Sequence, residues 1–265
     1  MRLNRQIWKA YVWRRQTITD IAVQLRKSKR SVRRHIQEIQ ILTPFVEPRP
    51  LVLVMDCVFF SRTSGLIVAR DPHHKQNLYW ENIVHENVAV YQVCKEAMES
   101  QGFKLLAIIL DGRRGVRELF SDIPVQMCHF HQKQIMIRYL TTRPRLAASI
   151  ELLEIVRTLT TAREIDFQKA LDSWHQRWEA FLKERTVDTE TKRWRYTHRR
   201  LRSAYRSLQT NLPFLFTYQR FPELKIPNTT NSLEGFFFRF KELLRVHRGA
   251  NANLKQKIIT EILGC

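Results

Sequence analysis

Leu51–Phe60 reads LVLVMDCVFF, a continuous apolar run broken by a single acid, Asp56. The run is short and rich in valine, leucine and phenylalanine, which predicts a buried strand. An ionised carboxylate inside such a strand needs a partner, so Asp56 is expected near the strand's exposed end or on a metal. The theme returns at Leu105–Gly115, LLAIILDGRRG. There a second buried strand, Leu105 to Leu110, ends in Asp111 ahead of the turn-forming Gly112. An acid at that position suits a site at the edge of a parallel strand pair.

The segments around these two runs complete a sheet. GLIVAR, Gly65–Arg70, reads as a strand antiparallel to the first across a turn at 63–65, and Leu78–Ile83 as a third. Val90, Val93, Cys94 and Ala97 recur at helical spacing, which predicts a helix over 87–100 ended by Gly102. A further helix starts near Arg114. A short strand, Ile123–Met127, then runs into CHFH, Cys128–His131, followed by a helix over Gln132–Leu140. Three antiparallel strands, then helix, strand, helix, strand, helix, make an α/β layout of ribonuclease-H type with a mixed sheet. In such a sheet Asp56, on the first strand, and Asp111, on the fourth, are neighbours.

Upstream, residues 1–43 read as a small helical domain. Gln6–Arg14 predicts a first helix. ITDIAVQLRKSKRSVRRHIQEIQI, Ile18–Ile41, then predicts two short helices, capped by Thr19 and Ser28, with a turn at 26–28. Val32, Ile36 and Ile39 point inward, which leaves Lys29, Arg30, Arg33 and Arg34 on the outer face. A tight helical pair with a basic second helix is the geometry of a helix-turn-helix, so these four cations are candidate DNA contacts. Three prolines within 44–50 make a stiff linker. The first part of the catalytic domain follows over 51–140.

Downstream, 141–227 lacks strand alternation and predicts an all-helical insertion. Trp174, Trp178 and Phe181 sit at helical spacing and read as core. Trp174, Trp178 and Trp194 are also the candidates for stacking on bases. Lys192–Leu208, KRWRYTHRRLRSAYRSL, predicts an arginine-covered helix. Its Arg193, Arg195, Arg199 and Arg200 are candidate backbone contacts. The final part, 228–265, holds NTTNSLEGFFFRFKELLRVHRG, Asn228–Gly249. Asn231 as N-cap with Glu234 three residues on fits a capping box. Phe236, Phe237, Phe240, Leu243 and Leu244 form the buried face, and Arg239, Arg245 and Arg248 add DNA-facing cations. Glu234 has two readings, a helix cap and a metal ligand beside a phosphate backbone.

Composition narrows the class. The 265 residues, 44% hydrophobic, support a real core, and no apolar run approaches a membrane span. Cys57, Cys94, Cys128 and Cys265 form no CxxC pair, which implies a reducing compartment. Seven glycines argue against a glycine-rich nucleotide loop. The formal charge of +20 is uneven: +9 over 1–50, +1 over 51–140, +7 over 141–230 and +3 over 231–265. Basic segments flanking a near-neutral block point to a polyanion, most simply nucleic acid.

Asp56, Asp111, the Cys128-x-x-His131 pair, a long helical stretch and then TTNSLEGFFFRFKELLRVHRG together resemble the transposases of the Mutator-like superfamily, which includes many bacterial insertion-sequence enzymes. The resemblance covers roughly residues 50–250. It implies a ribonuclease-H-like core in which Asp56, Asp111 and Glu234 are the catalytic, metal-binding acids and Cys128 and His131 an accessory motif. Two Mg2+ ions, or Mn2+, would be the cofactors. Zinc is not expected, because no second ligand pair accompanies Cys128 and His131. The implied reaction is hydrolysis at an element end followed by strand transfer. The partners are the terminal inverted repeats and target DNA, bound by a homodimer or larger assembly in the cytoplasm at the nucleoid. The chain ends soon after the acidic helix, and no CxxC pairs precede the helix-turn-helix, so a shortened copy is one expectation. A transposase-derived DNA-binding protein without catalysis, or a nuclease without transfer, are the alternatives.

Overall fold

The computed structural model describes residues 2–264. Helices lead the chain: α1 (Arg2–Val12), α2 (Ile18–Gln24) and α3 (Lys29–Glu38). Strands β1 (Pro50–Ser61), β2 (Ser64–Asp71) and β3 (Gln76–Ile83) follow, then α4 (Val88–Ser100), β4 (Lys104–Leu110), α5 (Arg114–Glu118), β5 (Val125–Met127) and α6 (His129–Leu140). The next stretch holds α7 (Ala147–Arg157), α8 (Glu164–Lys183), β6 (Arg185–Val187), β7 (Trp194–Tyr196), α9 (Arg199–Leu215) and α10 (Thr217–Arg220). The chain closes with α11 (Asn231–Val246) and α12 (Ala252–Leu263).

The fold is α/β. Five strands form a mixed sheet in the order β3-β2-β1-β4-β5. β2 and β3 are antiparallel, while β4 is parallel to both β1 and β5. The apolar runs that mark β1 and β4 lie in the core: Leu53, Val54, Met55, Ala107, Ile108, Ile109 and Leu110 are fully buried. Each of these side chains except that of Ala107 contributes roughly 1.5–3 kcal/mol of hydrophobic stabilisation. Among the described residues no helix is long and apolar enough to cross a membrane.

Internal packing divides the chain into two units. One holds the residues up to Pro48, Cys57–Glu86 and those from Asn231 onward. Here Ile7, Trp8 and Val12 of α1 are buried, as are Ile21 of α2 and Val32 and Ile36 of α3. Thr17 caps α2 through a capping box: its hydroxyl accepts from Asp20 N at 3.1 Å, and Asp20 Oδ2 accepts from Thr17 N at 3.0 Å. The cap is therefore Thr17, not Thr19, because the reciprocal carboxylate stands at Asp20. Ser28 caps α3 as expected. Glu261 of α12, 4% exposed, accepts from Arg5 at 2.7 Å and from the Trp13 indole at 3.1 Å, which satisfies a buried carboxylate.

The other unit holds Arg49–Asp56 and Asn87–Thr230. Its helical part packs around Phe167, Leu171, Trp174, Leu208, Leu215 and Phe216. Arg117 of α5 donates to Asn211 at 2.9 Å and lies 4.3 Å from the Phe214 ring centroid, tying α5 to α9. Two sequence expectations are corrected here. The stretch after 140 is not all helical, because β6 and β7 pair as an antiparallel hairpin. Lys192–Leu208 is not one helix: Arg193 and Arg195 lie in or beside β7, and α9 starts at Arg199. α9 runs through Pro213. The hairpin is held by arginine stacked on aromatic faces: Arg185 lies 4.1 Å from the Trp194 centroid and Arg202 3.6 Å from that of Tyr196.

Candidate metal centre and nucleic-acid surfaces

β1 and β4 bring two carboxylates together. Val54 of β1 pairs with Ile109 of β4 in a parallel register. Carried two residues further, that register sets Asp56 level with Asp111 and on the same face, on strands about 4.8 Å apart. Asp56 is half-buried and lies inside β1, which continues to Ser61. The expected position at the strand's end is thus incorrect for Asp56: the apolar residues after Cys57 keep the chain extended. Asp111 follows the last residue of β4, and its Oδ1 accepts from Arg113 N at 3.0 Å. Gly112 makes that turn at φ +94°, and a side chain there would collide with Met127.

The CHFH motif lies at the start of α6 rather than on a strand end, with Cys128 as the N-cap residue. Cys128 N still donates to Leu110 O at 2.8 Å, so it extends the β4–β5 ladder by one bond. Its buried sulfur accepts from Thr230 N at 3.2 Å and contacts Thr230 Oγ1 at the same distance. His129 is a structural anchor. Its N donates to Asn228 O at 2.9 Å and its Nε2 to Leu215 O at 2.6 Å. Burial pushes the His129 pKa down to about 4, so the ring is neutral.

His131 behaves in the opposite way. Burial pulls its pKa down, but the hydrogen bond to Cys128, the Cys128 charge, and the carboxylates of Asp56 and Asp111 together lift it to about 9. Four residues named by the sequence therefore meet in one unit: Asp56, Asp111, Cys128 and His131. Glu234 lies in the first turn of α11, half-buried, in the other unit. Its helix buries Leu233, Phe237, Phe240 and Leu243, while Phe236 and Leu244 are only partly covered.

The candidate DNA contacts are exposed. Lys29, Arg30, Arg33 and Arg34 stand on the outer face of α3. Arg193, Arg195, Arg199 and Arg200 are exposed around the hairpin and the start of α9, where the Arg200 guanidinium donates to Arg138 O. Arg239, Arg245 and Arg248 are exposed as well. The three tryptophans differ. Trp174 is 2% exposed and donates to Ala148 O at 2.9 Å, so it belongs to the core and not to a stacking surface. Trp178 is partly buried and donates to Glu151 at 3.0 Å, whereas Trp194 is 52% exposed.

Sequence reasoning missed Arg185, and it read Arg202 only as part of the arginine-covered helix and not as a residue that orders the hairpin. A signal was present in Asp188, whose Oδ1 accepts from Glu190 N and Thr191 N in an Asx turn between β6 and β7. It also missed Arg70, whose burial depends on contacts far apart in the chain. No protein-family model matches the chain, and no curated protein matches it.

Proposed function

We propose that the chain is a DNA transposase of the three-carboxylate type, with a ribonuclease-H-like catalytic core and a helix-turn-helix for docking. The observation that carries this reading is the pair Asp56 and Asp111 on neighbouring parallel strands, both felt by the His131 imidazole. Glu234 is the third acid. It stands in the first turn of α11.

All three proposed metal ligands offer carboxylate oxygen, a hard donor set that fits Mg2+ or Mn2+. When bound, the two ions would supply Lewis-acid activation of a water or 3′-hydroxyl and charge neutralisation at the leaving oxygen. The chain's own residues do the rest. Asp56 and Asp111 are held rigidly by paired strands. His131, whose pKa lies at about 9, is protonated near neutral pH and balances their charge. Cys128 links the start of α6 to Thr230, a positioning role. Lys29, Arg30, Arg33 and Arg34 enter the major groove or grip phosphates. Arg193, Arg195, Arg199, Arg200, Arg239, Arg245 and Arg248 hold the backbone. The DNA is an element end and then a target, and a dimer or larger assembly brings the two ends together at the nucleoid.

The test uses labelled duplexes drawn from the sequences flanking the reading frame. The wild-type chain nicks them with Mg2+ and not in EDTA. Asp56→Asn, Asp111→Asn and Glu234→Gln each abolish nicking while binding the duplex as before. Undiminished Mg2+-dependent nicking by any of the three refutes the assignment of that acid. Absence of nicking by the wild type on every duplex leaves a DNA-binding protein and refutes the enzyme.

A further inference from the structure

A cavity of about 500 Å3 opens beside the first turn of α11, wholly within the unit that contains that helix. Three cations line it, Arg70, Lys75 and Arg239, and no carboxylate among the described residues does. Arg70 is only 7% exposed. Its Nη1 donates to Asn77 Oδ1 at 2.6 Å and its guanidinium faces the Phe236 ring at 5.2 Å, but its Nε is buried with no partner among the described residues. The Ser232 hydroxyl, on the same cavity, is likewise buried without a partner. Two buried polar groups left unmatched in one place are costly, and a ligand that accepts from both removes that cost.

Gly235 adds an independent indication. It lies inside α11 and lines the cavity, and a Cβ there would meet nothing within 4 Å. Glycine is the poorest helix former after proline, and the chain's own packing gives no reason for it here. Its absent side chain keeps the cavity open against the backbone. The N-terminal end of a 16-residue helix also favours an anion. Burial pushes the Arg70 pKa down, Asp71 pulls it up and Arg239 pushes it down again, so the two guanidinium groups sense one another.

We infer that this cavity is a phosphate site. One phosphate oxygen accepts from Arg70 Nε and another from the Ser232 hydroxyl. Lys75 and Arg239 supply the remaining charge, and Phe236 packs against the adjoining sugar or base. On the reading proposed above, the phosphate belongs to the DNA backbone, next in the chain to Glu234. The inference rests on that reading only for the source of the phosphate.

The experiment compares the full chain with Gly235→Leu and Arg239→Gln. Labelled-duplex affinity is followed by fluorescence anisotropy across a salt series in EDTA, where no cleavage occurs. Thermal stability is followed in sodium phosphate against sodium chloride at matched ionic strength. Gly235→Leu fills the cavity without removing any charge, and is expected to weaken duplex binding at least about five-fold. Arg239→Gln is expected to lower the salt slope by about one. Phosphate raises the wild-type Tm and leaves that of Gly235→Leu unchanged. If Gly235→Leu binds duplex like the wild type while phosphate still stabilises the wild type, the cavity takes a free phosphate compound and DNA is refuted as the source. If phosphate does not stabilise the wild type, the site itself is refuted. Should Gly235→Leu fail to fold, the exposed Arg239→Gln decides, an unchanged slope refuting the DNA contact. Because nothing here depends on nicking, a chain without nuclease activity that loses binding in both variants keeps the site and loses only the transposase reading.

Discussion

Raising the pH should weaken this protein by a calculable amount through one side chain, His131. Its pKa in the folded chain is about 9, against an ordinary value of 6.5, because Cys128, Asp56 and Asp111 favour the imidazolium more than burial opposes it. A pKa raised by folding contributes stability that is complete below the unfolded value, about 6.5, and that disappears as pH rises through about 9. At about 1.4 kcal/mol per unit, the span between the two corresponds to on the order of 3 kcal/mol. Urea denaturation of the wild type and of His131→Gln, in metal-free buffer from about pH 6 to about pH 10, measures it by difference. The gap between the two proteins should shrink by about 3 kcal/mol across that range, other titrations cancelling. A proton NMR titration of the ring should give a midpoint near 9, which moves down when Mg2+ is added, since a cation bound by Asp56 and Asp111 replaces the proton's charge. A gap that does not vary with pH, or a midpoint at or below 6.5, would show that the two carboxylates and the imidazole do not share one field.

Two further outcomes follow from packing. Gly112→Ala forces an L side chain to φ +94° against Met127, so it should cost at least about 2 kcal/mol in chemical denaturation. An unchanged stability would mean that the turn behind Asp111 can be made another way. Trp174→Ala empties a core position and should cost about 3–5 kcal/mol, while Trp194→Ala, at a half-exposed ring held mainly by Arg185, should cost less than about 1 kcal/mol. Equal costs would contradict the assignment of one to the core and the other to the surface.

The sheet was legible because its two central strands are coded locally. LVLVMD and LLAIILDG carry their burial in consecutive letters, and each marks its acid without reference to anything distant. The position of Asp56 within β1 was not legible, because the residues after it, Cys57 to Phe60, can equally be read as the start of a turn. The start of α6 was misread for a related reason. Cys128 both prolongs the ladder from Leu110 and opens the helix, so a strand signal and a helix signal overlap on one residue. His129 and His131 look alike in sequence. Their opposite pKa directions come from burial, which lowers that of His129, and from Cys128, Asp56 and Asp111, which raise that of His131, surroundings set only by folding. The β6–β7 hairpin has three-residue strands, too short for alternation to register, and its order comes from guanidinium–ring stacking that no periodicity encodes.

The clasp between Cys128 and Thr230 joins residues 102 positions apart, and His129 N to Asn228 O closes the same gap. Most of the chain between them packs around a core of its own, and it meets the sheet again where Leu215 and Thr217 hydrogen-bond to β5. Such an excursion can lengthen, shorten or be exchanged for another of different shape without moving its two ends, since closing a longer loop costs only about 0.6 kcal/mol per doubling. Evolution can therefore remodel the helical part while the acid-bearing strands stay as they are, and a protein engineer can attempt the same replacement by cutting at those two hydrogen-bonded ends.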